Sequence, residues 1–331
     1  MIYNIILAFS VFFISLVGTK LVILTLQQRA VSPNIDILTG KRKMPTPENG
    51  GIALVFAIII GLLGAGTNYA VIASIFLLTG LPLLGNVMPF PRVVALIVRI
   101  IAITIPLIGF HGTIFSDLLP GFLDKTLALL FWLWIIYSFE KLEKLEGMLP
   151  VQIISIGAGL VAITIMNETF SSSLSIQALI IAMGGIGFWW WNHYPAKVHG
   201  GEIASVPMGF IAGYLLLLAA SKGYPEAAFI LPAYFLADSF VTFFNRPFSE
   251  KIAKNAVVKK LFCLRAVRAS SSPKWVVRMI TGINMLLIFL EMQILISPRM
   301  TIFNLLIAYA MVFNLVWVFA RIANKSSHEQ L

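Results

Sequence analysis

Eleven stretches of this chain stay apolar long enough, and continuously enough, to leave one class of fold. They cover residues 1–26, 51–66, 69–84, 93–110, 123–139, 150–166, 174–191, 203–220, 227–244, 276–296 and 302–320. A helix that crosses a bilayer needs about 20 apolar residues, within a range of roughly 17–25. Inside lipid every backbone N–H and C=O must find a partner within the protein, so a spanning segment is a helix or a strand of a closed barrel. Barrel strands alternate lipid-facing and lumen-facing residues. These stretches do not alternate, and they read as helices. The composition points the same way: of 331 residues, 59% are hydrophobic and 11% charged, with a mean hydropathy of +0.92. A soluble domain needs more polar surface than that. The expected fold is an all-α polytopic membrane protein of about eleven helices. Residues 1–325 form one membrane domain, and 326–331 a short polar cytoplasmic tail.

A net charge of +10 would suggest nucleic acid in a soluble domain. Here the distribution of the basic residues explains it without a nucleic-acid partner. The odd-numbered loops and the C-terminal tail hold 18 Lys and Arg residues, and the even-numbered loops hold 3 when Lys125, at the start of the fifth stretch, is counted with them. Cytoplasmic loops carry the excess of Lys and Arg, so this split places the N-terminus outside and the C-terminus in the cytoplasm. The first stretch, MIYNIILAFSVFFISLVGTK, has no basic leader and no small-residue cleavage site, and reads as a retained helix. The single cysteine, Cys263, excludes an intrachain disulfide.

Three cytoplasmic loops carry the candidate chemistry. The first includes SPNIDILTGKRKMPTPENGG, where Pro45 and Pro47 stiffen the chain and Gly50-Gly51 permits close backbone approach. Lys43 and its neighbours Lys41 and Arg42 are phosphate-binding candidates; basic residues beside a first helix also serve topology alone. The second, NHYPAKVHGGEIASVPMGF, places Lys197, His199, a Gly-Gly pair and Glu202 at the start of a helix. A helix N-terminus favours anions, and Glu202 is a candidate metal ligand; a first-turn glutamate also simply complements the helix dipole. The third loop, with KIAKNAVVKKLFCLRAVRASSSPKW, reads as an amphipathic surface helix in which Lys260 and Arg265 are phosphate-binding candidates.

Together these loops resemble the polyprenyl-phosphate N-acetylhexosamine-1-phosphate transferases, glycosyltransferase family 4. MPTPENGGIAL is similar to that family's Pro-Thr-Pro-x-Gly-Gly segment, and NHYPAKVHGGEIAS to its Asn-x-x-Pro-Ala-Lys-x-x-x-Gly-Asp-x-Gly-Ser segment. LPAYFLADSFVTFFNR resembles its ninth helix, with Asp238 at an acidic position, and LFCLRAVRASSSPKWVV the segment after a histidine-containing loop. The resemblance implies a multi-pass protein of the bacterial inner membrane. Its reaction moves a sugar 1-phosphate from a UDP-sugar to undecaprenyl phosphate, with magnesium. It also implies catalytic roles for Asp238, Lys43 and Arg265, substrate binding by Asn192, Lys197, His199 and Gly201, and a metal at Glu202.

The chain departs from the family's pattern at several positions. Met88-Pro89 stand near an Asp-Asp pair, and Leu261 stands near the histidine. Glu140, Glu143 and Glu146, with lysines between them, replace an aspartate-rich segment and read as an ion-paired helix. The expectation is a transferase with weakened or lost catalysis. The alternative is a non-catalytic binder of polyprenyl phosphate, nucleotide or a membrane partner, and a transporter is a third reading. Arg99, Asp238 and Glu291 lie within apolar runs and need partners there.

Overall fold

Apolar sequence free of interior breaks becomes uninterrupted helix, and the computed structural model shows where the breaks fall. It describes residues 2–27, 34–35, 42–43, 47, 49–85, 88, 90–110, 112–115, 119–167, 172–244, 261–270 and 273–328. Among them the helices are α1 (Ile2–Gln27), α2 (Ile52–Gly64), α3 (Tyr69–Gly85), α4 (Arg92–Ile108), α5 (Gly121–Leu142), α6 (Met148–Met166) and α7 (Ser173–Asn192). They continue as α8 (Glu202–Ser221), α9 (Pro225–Ile230), α10 (Ala233–Phe244), α11 (Phe262–Ser270), α12 (Pro273–Ile296) and α13 (Thr301–His328). Among the described residues there is also a 3-10 turn, Pro298–Met300, and an antiparallel pair of two-residue strands, Asn34–Ile35 with Arg42–Lys43, within the first loop. Among the described residues, seven helical segments are long and apolar enough to cross a membrane; α2, α3 and α10 are apolar but shorter.

The stretch 227–244 is not one helix. It breaks at Leu231-Pro232 into α9 and α10, because proline has no N–H to donate and disfavours helical backbone at the residue before it. The chain then turns across α5. Phe229 packs on Phe131 and Phe235 on Phe139, but Phe243 returns to Trp134, so the contacts run down α5 and then back. A hydroxyl pair, Ser138 with Ser239 at 2.8 Å, pins the crossing.

Small residues set the other close contacts, as expected where lipid removes the hydrophobic drive between helices. A Cβ on Gly187 would stand 2.6 Å from the Phe12 carbonyl oxygen, and one on Gly157 would stand 2.6 Å from that of Ala178. These glycines seat α7 against α1 and α6. The antiparallel pair α5 and α8 meets through Gly209 and Gly213, four residues apart on α8. Gly213 faces Trp132, a buried side chain whose indole N–H donates to the Phe210 carbonyl at 2.8 Å and whose ring stacks on Phe210. A Cβ on Gly213 would lie 2.6 Å from Trp132 Nε1. Gly213→Ala is therefore expected to cost about 1–3 kcal/mol through overpacking, read as a lower thermal midpoint in detergent. An unchanged midpoint would mean the α5–α8 contact is looser than described.

Two of the three charges that lie within apolar runs find partners. Arg99 pairs with Glu140 at 2.9 Å, and Asp238 accepts several hydrogen bonds, described below. Glu291 is fully buried, and neither of its carboxylate oxygens has a hydrogen-bond partner among the described residues.

Candidate functional site

The first and second loops meet backbone to backbone. The His199 N–H donates to the Pro47 carbonyl at 3.0 Å, Gly50 N–H to the His199 carbonyl at 2.9 Å and Gly51 N–H to the Gly200 carbonyl at 3.3 Å. Glycine is what allows this approach. A Cβ on Gly50 would collide with Val198, and one on Gly51 would lie 2.7 Å from the Gly200 oxygen. Gly201, with φ of 70°, holds a left-handed backbone directly against Asn49, itself at φ 69°. This junction forms the lip of α8, the most buried of the spanning helices.

A turn between α5 and α6 closes the loop from the other side. The expected ion-paired helix over Glu140, Glu143 and Glu146 forms only in its first part: Glu140 lies in α5 and pairs with Lys141 at 3.1 Å as well as with Arg99. Helix α5 stops at Leu142, and Gly147, at φ 83°, turns the chain into α6. Glu143 Oε1 accepts the Gly201 N–H at 2.9 Å, and Glu146 Oε2 accepts the Ala196 N–H at 2.8 Å. Asn192 completes the arrangement: its Oδ1 accepts the Gly147 N–H at 3.1 Å and its Nδ2 donates to the Val198 carbonyl at 2.8 Å. Asn192 is buried, with both ends of its amide engaged by backbone. The sequence signal for the turn was Glu-Gly followed by proline three residues later, a stop rather than an ion-paired continuation.

What this frame presents outward is Lys197 and Glu202, both exposed, with His199 half-buried beside them. Lys197 Nζ lies 5.1 Å from the centre of the Trp191 ring, whose N–H donates to the Leu16 carbonyl at 2.9 Å. Glu202 opens α8, where a negative charge complements the helix dipole.

Asp238 lies on α10, which packs against α5, and has no solvent exposure. Its carboxylate accepts the N–H groups of Phe262 (2.8 Å) and Cys263 (3.2 Å), and the hydroxyls of Tyr234 (3.1 Å) and Thr242 (3.4 Å). It is the N-terminal cap of α11, supplied from another helix. Arg265, one turn along α11, lies over the Phe262 ring at 4.7 Å. Burial pushes its guanidinium below the ordinary value, and the nearby Asp238 opposes that. Leu261 is buried just ahead of α11. Lys43 sits in the two-residue strand pair, opposite Asn34. Its side chain lies outside the described residues, as do Lys41, Pro89 and Lys260.

The glycosyl transferase family 4 profile matches residues 87–220. The chain is also similar to the phospho-N-acetylmuramoyl-pentapeptide-transferase of Buchnera aphidicola subsp. Acyrthosiphon pisum (strain Tuc7), at 24% identity over 233 residues, with 58% of this chain covered. Both matches point to a resemblance to glycosyl transferase family 4, with the profile covering less than half of the chain. It spans 65% of the length of that relative.

The matched region runs from just after α3 to near the end of α8, and so contains the carboxylate turn, Asn192 and the lip of α8. The Pro47–Gly51 half of the junction, Asp238 and Arg265 lie outside it. Magnesium in such a protein calls for one or two carboxylates free to face substrate phosphates. Among the described residues no three His, Cys, Asp or Glu side chains gather where they can hold a metal ion. Glu140, Glu143, Glu146 and Asp238 are each engaged within the protein, and Glu202 alone of the candidate acids is exposed. The described donor set does not fit a resident magnesium, and no step is derived through one.

Proposed function

We propose that this protein binds a polyprenyl phosphate and a UDP-sugar at the lip of α8, and that transfer of the sugar 1-phosphate between them is weakened or lost. In this reading it is a bacterial inner-membrane protein. One domain crosses the membrane eleven times, from an external N-terminus to the cytoplasmic tail at 326–331. The observation that carries the reading is the commitment of the acidic residues. The polar frame of the site is built, but its carboxylates hold backbone amides rather than facing a ligand. Lys197 and His199, with Lys43 and Arg265 from the flanking loops, supply charge-assisted contacts to phosphate. Gly201 allows close approach, and Asn192 keeps the loop in shape. Glu202 is the carboxylate left to meet a substrate-borne metal.

The phosphate nucleophile of such a transfer needs little activation, since its second pKa is about 6. What the reaction demands is charge neutralisation and in-line positioning of two polyanions. Undecaprenyl phosphate and UDP are expected to bind the purified protein, with Lys197→Ala weakening both about tenfold. Exchange of labelled UMP into UDP-sugars, with magnesium supplied, is expected to stay near background. Robust exchange abolished by Glu202→Gln would overturn the loss of catalysis and make the chain a working transferase.

A further inference from the structure

Glu143 and Glu146 stand on one short turn and hold two amides of one loop, and the geometry points to a dedicated role. We propose that they are positioning residues: hydrogen-bond acceptors that clamp the 193–201 loop in the shape that presents Lys197 and Glu202. The functional half of this inference rests on the reading above; the clamp itself does not.

The loop cannot satisfy its own backbone. It leaves α7 at Asn192, contains Pro195, and enters α8 through the left-handed Gly201. Within it Ala196 and Val198 are buried, so N–H groups there need acceptors from elsewhere. Glu146 meets Ala196 and Glu143 meets Gly201, bracketing the segment that contains Lys197 and His199. Asn192 ties Gly147, the pivot of the same turn, to Val198. A carboxylate suits the Gly201 position, because it also places negative charge at the positive end of α8. Only acceptor capacity is needed for the clamp, since both donors are neutral amides. Glutamine retains that capacity and alanine does not. That separates a clamp from a charge-dependent role such as metal binding.

The test uses the full-length protein with Val198→Cys as a reporter. Val198 is fully buried, and the one native thiol, Cys263, is also buried, which pushes its ionisation well above the ordinary value. Maleimide labelling of the reporter then reads opening of the loop. Glu143→Ala and Glu146→Ala are each expected to speed labelling about tenfold or more, and the glutamine variants to label like the parent. UDP binding, measured on the same variants without the reporter, is expected to weaken about tenfold in the alanine variants and to be retained in the glutamine variants. Parent-like labelling in the alanine variants, or fast labelling in the glutamine variants, overturns the clamp. Fast labelling with unchanged UDP affinity in the alanine variants overturns the positioning role. A parent protein that binds no UDP defeats the functional reading instead, and labelling still decides the clamp. Should an alanine variant fail to fold, the glutamine variant of that residue decides, by labelling slowly or quickly.

Discussion

Replacing Asp238 by alanine is expected to remove most folded protein from a detergent extract, and replacing it by asparagine to restore only part. The carboxylate is fully buried and accepts from two main-chain amides that open α11, residues 24 and 25 positions further along the chain. Alanine leaves both amides, and the hydroxyls of Tyr234 and Thr242, without an acceptor. Each buried donor left unsatisfied costs about 1–3 kcal/mol, so the amides alone account for about 2–6 kcal/mol. Whole domains are stable by only about 5–15 kcal/mol. Asparagine keeps one oxygen acceptor but turns an NH2 group toward the second amide, so it recovers a fraction of the loss. Size-exclusion recovery and thermal midpoint in detergent read this directly. The competing role, a catalytic group that meets substrate, predicts a different pattern: Asp238→Asn with parental recovery and midpoint but no UDP binding. That result would remove the capping role.

The reason this position misleads a sequence reader is physical. An aspartate in an apolar run must have a partner, and a single sequence does not show whether the partner is a ligand or the protein's own backbone. The helices α5 to α8 were legible because their apolar runs are unbroken and their ends carry glycine, proline or charge. Gly50-Gly51 was legible as a close-approach point, although what approaches it was not: it faces the Gly200-Gly201 loop. The stretch 227–244 was read as one span although Pro232 lies within it, and the turn of α10 across α5 depends on tertiary contacts such as Phe243 with Trp134. Glu143 and Glu146 were misread for a related reason. Acid and base at helical spacing suggest ion pairs, but one glycine, Gly147, ends the register and frees both side chains to reach the next loop.

Gly51→Ala is the smallest change expected to dismantle the site while leaving the membrane bundle assembled. The added Cβ would stand 2.7 Å from the Gly200 carbonyl oxygen and closer still to the Ala204 side chain. Neither neighbour is the far end of a flexible side chain. The Gly200 oxygen is main chain and accepts the Gly51 N–H, while Ala204 is fixed in the first turn of α8. The 47–51 segment must therefore move away from the lip, which stretches the three backbone hydrogen bonds that join the two loops. Overpacking of this kind costs about 1–3 kcal/mol, a modest loss for the protein as a whole. The loss at the site is larger, because a misplacement of about 1 Å in a binding frame can reduce function about 100-fold. Gly80→Ala provides the control: a Cβ there meets nothing within 4 Å, and alanine in a helix is favoured over glycine by about 0.8–1 kcal/mol. The expected pattern is a small drop in thermal midpoint with near-complete loss of UDP binding for Gly51→Ala, and parental binding for Gly80→Ala. If Gly51→Ala binds UDP as the parent does, the junction between the two loops is not the frame of the site.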